Sequence, residues 1–269
     1  MSERVIRALY FSPTGSTKKI VTQISRALAE RLQWDRVALD LALPANREQA
    51  LTCGEGDILL AGLPVYGGGL PQPAVDFLRQ MQGQGCPALA VAVYGNRGYG
   101  QALTQLGDLL EQAGCTVFAA AAFIGRHSFT ERVAAGRPDW QDLALIGEFA
   151  YKAALRAERG DFSPVTLPAD RDSPPLAPHC PDRIKADFAS CTPRTNEDCN
   201  ACGFCARVCP VAAIDPRDPR LVSQACIHCC ACVNRCTRQA KSFDHPYFQA
   251  LVSGLEASCG SRREPQLFV

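Results

Sequence analysis

The segment DCNACGFCARVCPVAA at 198–213 is answered by ACIHCCACVNRCTRQA at 225–240, so Cys199, Cys202, Cys205 and Cys209 correspond to Cys226, Cys229, Cys232 and Cys236 at a constant spacing of 27 residues. One half repeats the other. Three thiols spaced three residues apart, with a fourth displaced by one more residue, cannot all close on one ion, and they suit cubane iron–sulfur clusters. In such a run the fourth cysteine ligates the other cluster. Cluster I is therefore expected to take Cys199, Cys202, Cys205 and Cys236, and cluster II to take Cys226, Cys229, Cys232 and Cys209. Four-cysteine zinc sites usually come as two-cysteine knuckles with a longer spacer, which three cysteines in seven residues do not match. Cys230, beside Cys229 in an already full set, reads as a small packed apolar side chain.

At 269 residues the chain has room for two domains. Its hydrophobic share of 47% supplies a sizeable core, and the opening MSERVIRALYFSP runs straight into a strand pattern without an apolar leader. A soluble, cytoplasmic chain without a membrane span is expected, since eight of its 15 cysteines are claimed by the clusters and the rest are scattered rather than paired as in a disulfide framework. Formal charge is +1, with acids and bases mixed, which gives no case for nucleic acid as a partner. Two oxidised clusters with their thiolates would carry that to about −3.

Upstream of the repeat, residues 1–160 alternate strand and helix patterns. Strands are expected at 5–11, 34–42, 57–65, 88–94 and 115–124, with helices at 17–32, 71–80, 100–113 and 139–159. The economical solution is an α/β doubly wound parallel sheet that binds ligands at the carboxyl ends of its strands. After the first strand, FSPTGSTKK places Ser12, Thr14, Gly15, Ser16, Thr17 and Lys18 at a helix N-terminus. Free N–H groups and the helix dipole there favour a phosphate, and neither a Walker loop nor a dinucleotide fingerprint is present. After the third strand comes LPVYGGGLP, with Pro64, Val65, Tyr66, Gly67 and Gly68. After the fourth comes VYGNRGYG, with Tyr94, Gly95, Asn96, Arg97, Gly98 and Tyr99. Aromatics beside clustered glycines suit close backbone approach to a flat ligand. His127 ends the fifth strand on the same side and is positioned to touch a cofactor. No Ser–His–Asp or paired-carboxylate constellation is evident, so the catalytic residues of any enzyme are unknown.

These three loops, with Ser12, Thr14, Gly15 and Thr17 in the phosphate loop, resemble the flavodoxin family. The C-x2-C-x2-C-x3-C-P run at 199–210 resembles bacterial two-[4Fe-4S] ferredoxins, with Thr237 standing where proline is usual in the second run. Together with the PVYGG, YGNR and His127–Ser128 elements, the chain is similar to hybrid flavodoxin–ferredoxin fusion proteins of anaerobic prokaryotes. That resemblance implies a flavodoxin-like five-stranded parallel sheet in the order 2-1-3-4-5 with a smaller C-terminal α+β ferredoxin-like domain. It also implies FMN and two [4Fe-4S] clusters as cofactors. Electron transfer with ferredoxin-type redox partners is the implied job. An FMN-dependent reductase of a quinone or enone type acceptor is one alternative, and a redox-sensing module is another.

The expected organisation is a flavin domain at 1–160, a proline-rich linker at 161–182, a cluster domain at 183–244, and a C-terminal helix and tail at 245–269. His179 and Cys180 in the linker read as structural. The amphipathic YFQALVSGLEAS is expected to pack on a neighbouring domain, and the final SRREPQLFV to be loose.

Overall fold

The structure, a computed structural model, describes residues 4–54, 56–171 and 191–269; His179, Cys180 and the second half of the expected linker lie outside these. Strands β1 (Val5–Tyr10), β2 (Asp35–Asp40), β3 (Ile58–Pro64), β4 (Pro87–Tyr94) and β5 (Thr116–Ile124) form a parallel sheet in the order 2-1-3-4-5. Helices α1 (Ser16–Leu32), α2 (Gln72–Leu78) and α3 (Ala102–Gln112) connect β1 to β2, β3 to β4 and β4 to β5, a short 3-10 turn at Pro44–Arg47 lies between β2 and β3, and α4 (Trp140–Glu158) follows β5. This is the doubly wound, flavodoxin-like order.

Central strands covered on both faces read as continuous apolar runs, and β4 and β5 are buried along almost their whole length. Successive side chains alternate between two cores. Ile6, Leu60, Leu89, Val91 and Phe123 meet α1 and α4 through Ile20, Ile24, Ile146 and Phe149. Leu9, Leu59, Ala61 and Ala90 meet α2 and α3 through Val75, Phe77, Leu103 and Leu106. A capping box starts α4, where Asp139 accepts from the N–H groups of Gln141 and Asp142 while the Asp142 side chain accepts from the N–H of Asp139.

The sheet has a sixth strand that the local pattern does not disclose. Strand β8 (Gln266–Phe268) pairs antiparallel with β5, setting Ala120 against Phe268 and Ala122 against Gln266. The C-terminal tail is therefore fastened where looseness was expected. Asn96 Nδ2 donates to the carbonyls of Cys259 and Ser261, both at 2.8 Å, and Asn96 Oδ1 accepts from the Arg263 N–H at 3.1 Å. Tyr99 Oη donates to Gln266 Oε1 at 2.6 Å. The stretch after α4 is also laid on this domain. Phe162 packs edge-on against Phe118, the Val165 N–H donates to Val117 O at 3.0 Å, and the Asp170 N–H donates to Gly100 O at 2.8 Å.

In the C-terminal half the 27-residue repeat is written into the backbone. Helix α5 (Phe204–Arg207) is matched by α6 (Ala231–Asn234), and β6 (Arg194–Thr195) pairs antiparallel with β7 (Lys241–Ser242). Positive φ recurs at matched positions, Ala201 with His228, Gly203 with Cys230, and Ala212 with Gln239. Cys230 thus stands where the first repeat has glycine, capping its helix with φ 58°, and its side chain is buried against Phe243 and Phe248. Helix α7 (Pro246–Ser258) then returns the chain to the first domain, where Phe248 meets Phe129 with ring centroids 4.9 Å apart.

Candidate functional site

Loop 11–15 leads into α1 with Gly15 as the N-cap, in a left-handed conformation and without a side-chain cap. The first N–H groups of the helix consequently remain available to an anion. Ser12 is buried and its Oγ accepts from the Lys18 N–H at 2.9 Å, which tightens the loop and leaves the Ser12 hydroxyl hydrogen to donate. At the end of β3, Tyr66 and Gly69 exchange two backbone hydrogen bonds of 2.8 and 3.1 Å around Gly67 and Gly68. Both glycines have positive φ, as a turn of this mirror-image type requires.

These loops open onto one cavity of about 320 Å3. Of the residues singled out from sequence, Ser12, Thr14, Ser16 and Thr17 line it from the phosphate loop, and Pro64, Val65, Tyr66, Gly67 and Gly68 from the second loop. Tyr94, Gly95, Arg97, Gly98 and His127 complete that set. Gly15, Lys18, Asn96 and Tyr99 are not among the lining residues. Lys18 is exposed, with its ammonium 5.9 Å from the centroid of the Tyr10 ring, while Asn96 and Tyr99 hold the C-terminal tail.

The residues present suit a planar cofactor with a phosphate. Tyr94 Oη is buried in the wall without a hydrogen-bond partner among the described residues, a state that costs free energy unless a bound group supplies one. Burial pushes the Tyr94 hydroxyl up to about 12, keeping it neutral. His127 Nδ1 accepts from the Phe129 N–H at 3.1 Å, so the neutral ring carries its proton on Nε2. Burial first, and Arg97 second, lower its pKa to about 4. Arg97 is itself desolvated, which lowers its pKa.

Sequence reasoning missed the far wall. Ile227 and His228 reach the cavity from the second cysteine run, and Tyr247, Leu251 and Leu255 reach it from α7. The amphipathic pattern of 247–258 signals that α7 packs on a neighbouring domain but not that it lines the cavity, and no local signal marks Ile227 and His228. Asn234 holds this wall in place, donating to Ser128 O at 2.8 Å and accepting from Arg126 Nη2 at 2.9 Å. On the other side, Arg47 Nη2 donates to Pro210 O at 2.6 Å.

The eight cysteines of the repeat fall into two groups. Cys199, Cys202, Cys205 and Cys236 surround a cavity of about 240 Å3. Cys209 joins Cys226, Cys229 and Cys232 around a narrower one, which Cys230 also lines. In each group the fourth cysteine comes from the other run. The fourth sulfurs also accept backbone hydrogen bonds at matched positions, from the Ala213 N–H to Cys209 Sγ at 3.2 Å and from the Ala240 N–H to Cys236 Sγ at 3.3 Å. Burial pushes the Cys229 and Cys232 thiols up to about 12. A positively charged iron centre would reverse that penalty and draw out the thiolates. Among the described residues no group of three or more His, Cys, Asp or Glu side chains is placed to hold a single metal ion.

Residues 194–215 match a family model described as a 4Fe-4S binding domain. Among solved structures, a flavodoxin from the domain Archaea is similar at 16% identity, covering 58% of this chain and 99% of its own, with a TM-score of 0.39. Flavodoxin 2 from Bacillus cereus is similar at 17% identity over 58% of this chain and 99% of its own, with a TM-score of 0.41. An NADH:FMN oxidoreductase in its apo form is similar at 15% identity over 61% of this chain and 95% of its own, also with a TM-score of 0.41. No curated protein matches the sequence. Among the described residues, no helix is long and apolar enough to cross a membrane. The chain thus joins a parallel α/β sheet of the flavodoxin-like order 2-1-3-4-5 to a segment that matches a 4Fe-4S binding domain.

Proposed function

We propose that this chain relays electrons between two [4Fe-4S] clusters and a bound FMN, exchanging them with a one-electron carrier protein. The supporting observation is the cavity itself, whose walls come from the three strand-end loops and from Ile227 and His228, the residues between Cys226 and Cys229. Thr14, Ser16, Thr17 and the free N–H groups opening α1 bind the phosphate. Tyr66 and the Gly67–Gly68 turn shape the ring site, and neutral His127 presents an Nε2–H donor towards it. Cys199, Cys202, Cys205 and Cys236 ligate one cluster; Cys226, Cys229, Cys232 and Cys209 ligate the other. When bound, the flavin supplies the ability to take electrons singly or in pairs, which clusters lack.

Anaerobically prepared protein should contain about eight irons and eight acid-labile sulfides per chain, with one flavin. Thr14→Ala combined with Thr17→Ala should weaken FMN much more than riboflavin, because only FMN carries the dianion that the loop is matched to bind. Equal loss for both flavins would remove the phosphate from this loop. Fast turnover of quinones or enones without any protein partner would favour the reductase alternative over the relay.

A further inference from the structure

We infer that the Cys209, Cys226, Cys229 and Cys232 set is the inner centre that exchanges electrons directly with the flavin, and that the Cys199, Cys202, Cys205 and Cys236 set is the outer centre that meets the partner. This inference rests on the relay reading and adds an order to it. Ile227 carries the geometry, since the same side chain lines both the flavin cavity and the cavity of the inner set. The two cavities therefore adjoin at this residue. Ile227 and Tyr66 also pack against the same hydrophobic core.

The outer set has no such contact. Among the described residues, its cavity is lined only by residues from Cys199 to Lys241. Exposure follows the same order, because Cys229 and Cys232 are buried whereas Cys202 and the neighbouring Phe204 are exposed. Tunnelling falls exponentially with the gap between centres, so the inner set is the competent donor to the flavin and the outer set the accessible one. Each passage moves one electron. The carrier protein is oxidised as the outer cluster is reduced, the outer cluster is reoxidised as the inner one is reduced, and the inner cluster is reoxidised at the flavin. Two passages, with protons drawn from water, complete a two-electron reduction.

The order can be tested by injecting electrons at the flavin. Illumination of the loaded full chain with a sacrificial tertiary amine, which is oxidised by the excited flavin, should reduce both clusters, read by their visible bleaching and electron paramagnetic resonance signals. In Cys202→Ser, with only the inner cluster intact, the inner signal should appear as fast as in wild type. In Cys226→Ser, with only the outer cluster intact, the prompt outer signal should be lost. An unchanged outer signal in Cys226→Ser, or a lost inner signal in Cys202→Ser, would overturn the order while leaving the relay standing. Wild-type flavin that photoreduces without passing electrons to either cluster would instead overturn the relay, and the order with it. Iron-edge anomalous diffraction from loaded wild-type crystals needs no variant: the iron group beside Ile227 should lie nearer the flavin ring, and the reverse placement would refute the inference.

Discussion

Replacing Asn96 should release the C-terminal tail without touching the cavity wall directly. The side chain is 4% exposed and makes three hydrogen bonds to the tail, two donated to carbonyls and one accepted from the Arg263 N–H. At about 1 kcal/mol net for each bond, their loss amounts to about 3 kcal/mol. Asn96 has φ 62°, so Asn96→Gly isolates the hydrogen bonds, whereas Asn96→Ala adds about 1 kcal/mol of left-handed strain. A loss of 3 kcal/mol corresponds to roughly a hundredfold in an opening equilibrium. Hydrogen exchange of the β8 amides should therefore accelerate by about that factor in Asn96→Gly, up to the limit set by the unprotected rate. Flavin should also dissociate faster, because the tail anchors α7, which supplies Tyr247, Leu251 and Leu255 to the cavity. Iron content should not change. Exchange at β8 altered by less than about threefold would refute the view that the Asn96 hydrogen bonds contribute to fastening the tail.

Asp142 is fully buried and accepts from Arg137 Nε at 2.7 Å, so Asp142→Ala should leave an uncompensated charge and cost about 3–5 kcal/mol, seen as a large fall in thermal midpoint. His127 should titrate near pH 4 by NMR, with its proton on Nε2 at neutral pH. Because its folded pKa is lowered, the unfolded chain binds the proton first, and the neutral ring's contribution to stability is lost as pH falls from 6.5 towards 4. A midpoint at 6.5 would place the ring in water. Cys230→Ser should keep its full iron, because Cys230 packs against Phe243 and Phe248 rather than completing a ligand set; a matching loss of iron would make it a ligand. Cys230→Val should be less stable than Cys230→Gly by about 1–3 kcal/mol, since a β-branched residue resists a positive φ.

What was legible in the sequence was what is encoded over short distances. The cysteine runs announce their pairing because ligand spacing and backbone turns repeat together, down to the left-handed positions at Gly203 and Cys230. The five parallel strands were readable because burial on both faces leaves near-continuous apolar runs, and their ends because glycine and hydroxyl residues cluster there. Strand β8 was not readable. QLF is three residues long, and it becomes a strand only through its pairing with β5. Asn96 and Tyr99 were assigned to the cavity because they sit in a glycine-rich loop, yet that loop has two sides and theirs faces the tail. Ile227 and His228 were not singled out, because the cavity wall they complete is otherwise built from strand-end loops about 100 or more positions away in sequence.

The relay is tested most directly by anaerobic stopped-flow mixing of the full chain, loaded with flavin, against a reduced ferredoxin-type carrier, with and without assembled clusters. The account predicts that cluster bleaching precedes flavin bleaching in the loaded chain. It further predicts that the cluster-free chain, still holding its flavin and still reducible by a small chemical reductant, loses rapid reduction by the carrier. Flavin reduction by the carrier at the same rate in both preparations would contradict it.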